Sequence, residues 1–389
     1  MTSTVAGMAS VVGAAETRYS ARSGLPPRVL AAEAIATALA EAAVLPHEVD
    51  GLIPIGNDVS AESVASMLRL RDLRLCATTP VGGAAAIASL QLAAAAIVSG
   101  VARIIVIYVA RNGNSGRRIR DRVFGLPGQE LREQLERPYG WMSPAHWYAM
   151  ICRLHMERYG TTKRQLGTVA VTMRRHANLN QNAMMYGRTM TLDDYFASEV
   201  IAAPYQKLDC CLETDGGCAV VVTSAERVAL RSLPGVQLAA VAEGHPDTPD
   251  DLTNRPDLLE IGLSRAAPRA WEMASLGPAD MDGAMIYDCF TFELLHQLEA
   301  AGFCAPGESG PFVEQDGIGL GERLPVNPHG GLLSAAHMVG LNHVAEAYRQ
   351  LRGRGGSRQI PAARHIAVTG WGNLGDGAMA IFRRTGSDT

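Results

Sequence analysis

TTPVGGAAAIASLQLAAAAIVSGVARIIVIYVA, which spans Thr78–Ala110, is the stretch that decides the fold. Gly82 and Gly83 open an almost wholly apolar run that ends at Gly100, and the strand-like run Ile104–Val109 follows. A helix that is apolar on every side is typical of a buried position, and alanine is too weakly hydrophobic to predict a membrane span. We therefore expect a central helix in a large layered domain. Its N-terminal backbone N–H groups should point at a ligand.

The second half of the chain repeats this arrangement. Gly330 and Gly331 open a second run with helical periodicity, Leu332–Leu351, and the strand-like segment Ile366–Thr369 follows it. The order of glycine pair, helix and strand is the same in both halves. A repeated block of this kind indicates the duplication of a βαβ-type unit, and hence an α/β fold.

A second matched feature supports the duplication. Asp-Gly pairs occur at residues 50–51 and 282–283, each after a helical segment and a proline and each before a strand. We therefore place an N-terminal half at residues 1–232 and a C-terminal half at 233–389. A loop excursion of the first half, at about 111–200, begins with an arginine-rich segment that we expect to be an exposed arm.

Composition narrows the class of protein. The chain has 389 residues, of which 47% are hydrophobic and 5% aromatic, a balance that suits packed α/β layers. The net charge of −4 gives no reason to expect nucleic-acid binding. We find no signal-peptide pattern and no membrane span, so we expect a cytoplasmic protein.

The seven cysteines have no disulfide-framework spacing, which is typical of reduced thiols. Cys210 and Cys211 are adjacent, and no second pair of ligands completes a zinc site around them or Cys218. We therefore expect no metal.

Ligands of such folds bind where the carboxyl ends of strands meet the N-termini of helices. The duplication brings four loops to such a place. They lie at residues 81–83, 287–291, 327–337 and 370–377.

Several segments resemble the thiolase superfamily. They are YDCFTFELLHQLEAAGFC, NPHGGLLSAAHMVGLNHVAEAYRQLRG and the closing VTGWGNLGDGAMAIF. With VVGAAETRYS and QKLDCCLETDGGCAVVVTSAERV, they are more narrowly similar to the lipid-transfer-protein branch, which includes the thiolase half of sterol carrier protein x. The resemblance covers most of the chain. It implies a five-layer αβαβα fold, a homodimer, an acyl-CoA substrate and no cofactor beyond the coenzyme A of that substrate. It also implies a small OB-fold partner protein with a zinc ribbon.

The sequence departs from the thiolase pattern at the nucleophile. Thiolases carry a reactive cysteine at the N-terminus of the central helix, where N–H groups and the helix dipole lower its pKa. This chain has TTPVGGAAA there, and Cys76 comes too early. The glycine-rich segment VTGWGNLGDG also lacks the second thiolase cysteine.

Two other positions of the thiolase pattern are filled. Tyr287 stands where thiolases have Asn or His, and His337 stands where they have the His of a GHPLG-type motif. The Tyr-Asp-x-Phe-Thr form resembles the steroid side-chain aldolases of this branch, which cleave a 3-hydroxyacyl-CoA without an acyl-enzyme. Those aldolases have a second tyrosine where this chain has His337. A retro-aldol step needs a base and a site for the enolate, and our hypothesis is that Tyr287 and His337 share a proton.

The enolate oxygen requires preorganised donors. We predict that the glycines supply backbone N–H groups beside the pair, with His329 as a further substrate-binding candidate. These candidate residues are Gly82, Gly83, His329, Gly330, Gly375 and Gly377.

Several alternatives stay open. Tyr287 and His337 could be core residues, and Asp288 could anchor its loop. Cys289, two residues from Tyr287, is an alternative nucleophile for Claisen chemistry on a 3-oxoacyl-CoA, although a buried inert thiol is also consistent with its position. A third alternative is a non-catalytic scaffold that binds lipid or a partner. The arginines of residues 111–137 could bind the phosphates of coenzyme A or a partner, or form a solvated arm.

Overall fold

The computed structural model describes residues 5–119, 129–247, 252–373 and 375–385. Its main sheet has nine strands in the order β3-β2-β4-β7-β1-β8-β11-β10-β9, and β5 and β6 form a separate hairpin. The strands are β1 (Ala9–Glu16), β2 (Gly51–Pro54), β3 (Leu75–Cys76), β4 (Ile104–Asn112), β5 (Val200–Ala202), β6 (Tyr205–Gln206), β7 (Asp215–Ser224), β8 (Val236–Gly244), β9 (Gly283–Met285), β10 (His365–Gly372) and β11 (Asp376–Arg384).

Eleven labelled helices accompany these strands in the described ranges, together with short helical turns. They are α1 (Pro27–Glu41), α2 (Ala61–Leu68), α3 (Ala85–Val98), α4 (Gln129–Leu135), α5 (Pro144–Tyr159), α6 (Lys163–Ala177), α7 (Leu192–Phe196), α8 (Ala225–Arg231), α9 (Gly262–Ala274), α10 (Thr291–Ala300) and α11 (Leu341–Leu351). Within those ranges, no helix is both long enough and apolar enough to cross a bilayer.

The layers form three packed interfaces. Helices α3 and α11 contact strands of both halves and lie between them, while α1 covers the outer face of the first half and α9 that of the second. A buried strand contributes side chains to the hydrophobic cores on both of its faces, because successive side chains point in opposite directions. In β4, Ile105 and Ile107 join the central core, and Val106 and Tyr108 join the core beneath α1. This is the predicted αβαβα arrangement.

The strand order is symmetric about the β1–β8 pairing. Reading outward from that pairing gives β7, β4, β2 and the short edge strand β3 on one side and β11, β10 and β9 on the other, so that β3 alone has no counterpart in this sheet. The matching strands hold matching places in the two halves, as the duplication predicts. The boundary that we placed at residues 232–233 stays a prediction, and it lies in the connection between α8 and β8.

The central helix α3 is buried along its first turns, as predicted. Its far end reaches solvent, because Val98 is 38% exposed. The prediction of a helix apolar on all sides thus describes its N-terminal part best. That part is also the end that meets the rest of the site.

The second glycine pair does not open one continuous helix, so the prediction for Leu332–Leu351 was wrong. Gly331–Ala335 form a single wide turn, Ala336 is extended with φ −169°, and α11 begins only at Leu341. Four residues have φ values in the left-handed region, which an α-helix does not allow. They are Gly330 (105°), Gly331 (61°), Val339 (52°) and Gly340 (79°).

The arginine-rich arm is also not fully exposed. Arg111 is buried at the end of β4, and Arg132 is buried with its guanidinium carbon 4.8 Å from the ring centre of Trp147. The expected exposed arm is therefore wrong for these two residues. Residues 120–128, which include Arg120 and Arg122, lie outside the described ranges.

Candidate active site

The ring of Tyr287 lies against the start of helix α3. A Cβ atom added to Gly83 would lie 2.2 Å from Cζ of Tyr287 and 2.5 Å from its hydroxyl oxygen. The same atom would lie 2.2 Å from the backbone oxygen of Trp371. On the other side of the ring, a Cβ on Gly340 would lie 3.1 Å from Cδ2 of Tyr287. Position 83 therefore admits only glycine, and the phenol fills the space in front of the helix.

Tyr287 and His337 are in contact. The hydroxyl oxygen of Tyr287 lies 3.2 Å from Nε2 of His337, and the two rings meet edge to face. Burial raises the pKa of Tyr287 well above its usual value, and the Cys289 and Cys211 thiols add to the effect. The phenol therefore keeps its proton, which it can donate to Nε2 when the proton of the imidazole is on Nδ1.

Buried amides fix the backbone on both sides of the phenol. Nε2 of Gln297 donates to the backbone oxygen of Tyr287 at 2.6 Å, and Oε1 of Gln297 accepts from Thr369 at 2.8 Å. The side chain of Asn327 makes two hydrogen bonds of 2.8 Å with the backbone of Ile286, one through each polar atom. Strand β9 ends at Met285, before these residues. The side chains of Gln297 and Asn327 therefore take the place of strand hydrogen bonds and fix the backbone that carries the Tyr287 side chain.

His337 lies on the extended segment between the turn and α11. Its backbone N–H donates to Oγ1 of Thr214 at 3.1 Å, next to the start of β7. The loop after α6 holds the preceding residues, because the N–H of Met184 donates to the oxygen of Ala335 at 2.9 Å. His337 is partly exposed, while its neighbours Ala336 and Met338 are buried. The imidazole therefore connects the buried phenol to the protein surface.

Asp288 anchors the turn that precedes His337. Its carboxylate oxygens accept from the N–H groups of Leu332 at 2.8 Å and Leu333 at 3.3 Å. Burial raises the pKa of Asp288, and the nearby imidazole of His343 opposes that shift. The loop-anchor role that the sequence left open for Asp288 matches these contacts.

Arg111 supplies a buried positive charge near the pair. Its charge acts against the burial that raises the pKa of Tyr287. Nε of Arg111 lies 3.9 Å from Oδ2 of Asp58, and its side chain approaches Gly113, which packs against Thr214. A fixed cation at this place favours the phenolate form of Tyr287.

The structure brings only some of the predicted residues to the pair. Gly82 adjoins Gly83 and packs against Asn373. Gly330 packs on Ala177 of α6 instead, and a Cβ there would lie 2.7 Å from that residue. His329 contacts the imidazole of His343 at 3.2 Å, one residue removed from Tyr287.

The nearest neighbours of the last two predicted glycines are residues other than Tyr287. Gly375 faces Arg255 and Pro246. Gly377 pairs inside the sheet and packs against the start of α9, where an added Cβ would lie 2.0 Å from the nitrogen of Leu263. Their predicted role as donors for the enolate finds no support in this placement.

The alternative nucleophile Cys289 is buried at 7% exposure. Burial raises the pKa of its thiol well above the usual value, and the carboxyl of Glu293 adds to the shift. A reactive cysteine requires the opposite shift, because the thiolate is the nucleophile. The geometry thus favours an inert thiol at this position.

Aromatic side chains lie close to the pair. Tyr148 packs on Phe290 and Trp371 with ring centres 5.4 and 5.6 Å apart, and Tyr205 stacks on Phe290 at 5.0 Å. Within the described ranges, no group of three or more His, Cys, Asp or Glu side chains is arranged so that it could bind a metal ion.

Sequence reasoning missed three contributors to this site. Thr214, Gln297 and His343 act through contacts between distant segments, which no spacing pattern shows. Arg111 was among the arginines proposed to bind the phosphates of coenzyme A or a partner, and the structure places it near the pair instead of on a solvated arm.

Comparison with known proteins places this geometry in context. Residues 244–384 match the family described as "Thiolase C-terminal domain-like". The chain is 39% identical to the "17-hydroxy-3-oxo-4-pregnene-20-carboxyl-CoA lyase" of Mycobacterium tuberculosis, over 94% of this chain and 96% of the relative. It is 36% identical to the "Steroid side-chain-cleaving aldolase" of Thermomonospora curvata, over 90% of this chain and 92% of the relative.

Solved structures show the same fold. The structure described as "Ltp2-ChsH2(DUF35) aldolase" superposes with a TM-score of 0.90 at 34% identity and covers 98% of this chain and 99% of its own. Human mitochondrial 3-ketoacyl-CoA thiolase in complex with CoA superposes with a TM-score of 0.70 at 14% identity, over 98% and 99% of the two chains. The latter likeness shows the fold alone.

Proposed function

Because this chain belongs to the thiolase superfamily, in the branch that contains steroid side-chain aldolases, we propose that it is a carbon–carbon lyase. It cleaves a 3-hydroxyacyl-CoA by a retro-aldol step without an acyl-cysteine. The observation that carries the proposal is the contact of Tyr287 with both Gly83 and His337. The phenol occupies the place from which a thiolase cysteine would attack, and it has a proton acceptor in reach.

The reaction balances without a co-reactant. The β-hydroxyl loses its proton, the oxygen electrons form a C=O bond, and the bond between the α- and β-carbons breaks. Its electrons form the enolate of the thioester, and a proton returns to the α-carbon. The products are a ketone or aldehyde and a shortened acyl-CoA.

Tyr287 and His337 divide the proton transfer between them. The phenol alone is a poor base, since burial raises its pKa. As its oxygen takes the β-hydroxyl proton, its own proton passes to Nε2 of His337 along the existing 3.2 Å contact. Arg111 stabilises the negative charge that develops on the phenol oxygen during this transfer. The imidazolium then returns the proton to the enolate.

The enolate forms beside the start of α3. The first N–H groups of a helix have no partner within it, and the helix dipole favours negative charge there. Gly82 and Gly83 carry no side chain, and the phenol of Tyr287 fills the space in front of Gly83. We therefore assign the thioester oxygen to a position beside the Tyr287 hydroxyl at this end of the helix.

The substrate that we propose is the CoA thioester of a steroid side chain. The name of the mycobacterial relative describes a hydroxyl placed β to a thioester on a steroid skeleton. We also propose that the chain forms a homodimer in the cytoplasm and, as in the Ltp2-ChsH2(DUF35) structure, works with a small partner protein, which we expect to have an OB-fold and a zinc ribbon.

Product analysis tests the reaction. The protein, co-expressed with its partner, is given matched 3-hydroxyacyl- and 3-oxoacyl-CoA esters in D₂O, with and without free CoA. We expect the hydroxy ester to give a ketone and a shortened acyl-CoA with one deuterium at the α-carbon, independent of free CoA.

Two other outcomes contradict the proposal. Consumption of the oxo ester that depends on free CoA would assign thiolase chemistry to the chain. Binding of either ester without turnover, with the partner present, would assign a scaffold role.

A further inference from the structure

A buried chain of three side chains lies behind Tyr287. Nε2 of His343 is 3.3 Å from Oδ1 of Asp288, a distance typical of an ion pair but without ideal hydrogen-bond geometry. Nδ1 of His343 is 3.2 Å from Nε2 of His329. The ring of His343 meets the ring of Tyr287 edge to face at 6.4 Å. His343 and Asp288 are both 0% exposed, so water does not substitute for these contacts.

Burial and hydrogen bonds set the charges of Asp288 and His329 on either side of His343. Burial lowers the pKa of His329 well below its usual value, and the neighbouring His343 adds to the shift, so His329 is neutral. The Asp288 carboxylate accepts from backbone N–H groups, and His343 therefore points its Nε2–H at this carboxylate. Its Nδ1 lies 3.2 Å from Nε2 of His329, and that same Nε2 lies 3.5 Å from Nδ2 of Asn342. Nδ1 of His329 is buried without a hydrogen-bond partner in the described part of the protein.

The series of Asp288, His343 and His329 joins the two segments that carry the reacting side chains. Asp288 adjoins Tyr287 and holds the N–H groups of Leu332 and Leu333, at the beginning of the turn that leads to His337. His343 belongs to α11, which follows His337. Asn342 secures the intervening segment, since its Nδ2 donates to the oxygen of Ala336 at 3.1 Å.

We infer that His343 is a positioning residue of the proposed lyase. By orienting Asp288 it fixes the turn at 331–335 against Tyr287, and it thereby sets the distance from the Tyr287 hydroxyl to His337. His343 does not touch the reacting atoms. The charged groups around the chain are Glu346, Arg349 and Arg358, which form their own ion pairs behind His329. They leave Asp288 as the carboxylate that faces His343.

Two substitutions separate this role from mere packing. His343→Leu removes both polar contacts, whereas His343→Gln keeps an N–H donor for Asp288. We expect His343→Leu to lower kcat by about tenfold or more, with KM changed less than about twofold, because a misplaced proton acceptor slows the reaction but not binding. The acid limb of the kcat–pH profile should move to higher pH, since the hydrogen bond that favours neutral His337 weakens. His343→Gln should recover most of the loss.

His155→Gln is the matched control. His155 is also buried and pairs with a carboxylate, through Nε2 to Glu299 at 3.0 Å, but it lies on α5 away from the phenol. We expect this variant to lose stability and to keep the wild-type pH profile.

The kinetic readout rests on the proposed function, and a crystal structure of each variant provides a readout that does not. We expect a longer distance from the Tyr287 hydroxyl to Nε2 of His337 in His343→Leu, and a wild-type distance in His343→Gln. An unchanged distance in His343→Leu overturns the inference. If wild type is active and His343→Leu has the same kcat and pH profile, the inference is also overturned. The same holds if His155→Gln shifts the pH profile as much as His343→Leu does. If wild type lacks lyase activity while the distances change as expected, the proposed function fails and the positioning role stands.

Discussion

The two central helices hold equivalent places in the two halves, yet their side chains differ completely. Helix α3 has no ionisable residue between Ala85 and Val98, and the bare pair Gly82-Gly83 precedes it directly. Helix α11 buries Asn342, His343 and Glu346, and an extended segment that carries His337 separates it from its own glycine pair.

The difference shows how a duplicated fold becomes one asymmetric site. The first copy provides an open helix end with backbone N–H groups, and the second provides titratable side chains. Tyr287, from the second copy, reaches across to fill the open end of the first. The two copies could not exchange these roles, because a side chain at position 83 collides with the phenol.

The largest effect on kcat is expected from removing the phenol hydroxyl of Tyr287, which the second half contributes to the site. Tyr287→Phe should lower kcat by about a thousandfold, the usual scale for loss of general acid–base catalysis. Tyr348→Phe is the control, since the Tyr348 hydroxyl donates to the oxygen of Val12 at 3.0 Å in the same central layer. It should keep full activity and lose about 1 kcal/mol of unfolding free energy. Full turnover by Tyr287→Phe would remove the phenol from the mechanism.

The next effect comes from closing the open end of α3. Gly83→Ala adds a methyl group 2.2 Å from both Cζ of Tyr287 and the oxygen of Trp371. A displaced phenol should reduce kcat by about a hundredfold. Gly277→Ala is the matched control, because its nearest neighbour would be Oδ2 of Asp280 at 3.8 Å. Equal activity of both variants would show that the phenol does not need its present position.

A smaller effect tests whether the first copy also contributes charge. Arg111→Met removes the cation that favours the phenolate of Tyr287, and we expect kcat to fall about tenfold. Arg103→Met, at the other end of β4, removes a guanidinium with 63% exposure and should leave kcat unchanged. Steady-state kinetics at pH 7 compare the two. An equal effect of both would mean that Arg111 acts only through folding.

The smallest effect concerns the stability of α11. Burial alone would raise the pKa of Glu346, but the guanidinium groups of Arg358 and Arg349 outweigh it and lower the pKa to about 2 from an ordinary value of 4.5. Glu346 therefore stabilises the fold above pH 4.5, and this contribution is lost as the pH falls from 4.5 towards 2.

Glu346→Gln should flatten that dependence by up to about 1.4 kcal/mol per pH unit, the limit for one proton. Urea unfolding of both proteins between pH 6 and pH 3 measures the difference. Parallel curves for wild type and variant would contradict the assigned ion pairs. No substitution in α3 offers a counterpart, because that helix has nothing to titrate.

The sequence predicted those parts of the molecule that depend on local pattern or family likeness. The glycine pair, α3 and β4 follow from periodicity and composition, and the positions of Tyr287 and His337 follow from the resemblance. The break between Gly331 and Leu341 did not, since helical periodicity in the side chains continues through it while the backbone reverses at glycines.

The supporting residues of the site were beyond local pattern for a different reason. His343 and Asp288 are 55 positions apart in the chain and meet only when the second half has folded. The donor role of Gly375 and Gly377 stays a prediction, because a glycine-rich loop does not reveal which face of the sheet it packs against.

The most direct test of the central claim is the intact mass of the protein during turnover. The protein with its partner is mixed with a steroid 3-hydroxyacyl-CoA, quenched within one turnover and analysed by mass spectrometry. The account predicts unmodified protein at every time point while the ketone and the shortened acyl-CoA accumulate, because the phenol and imidazole move a proton and no sulfur attacks. A transient acyl adduct on any cysteine, formed and consumed at the rate of turnover, would contradict it.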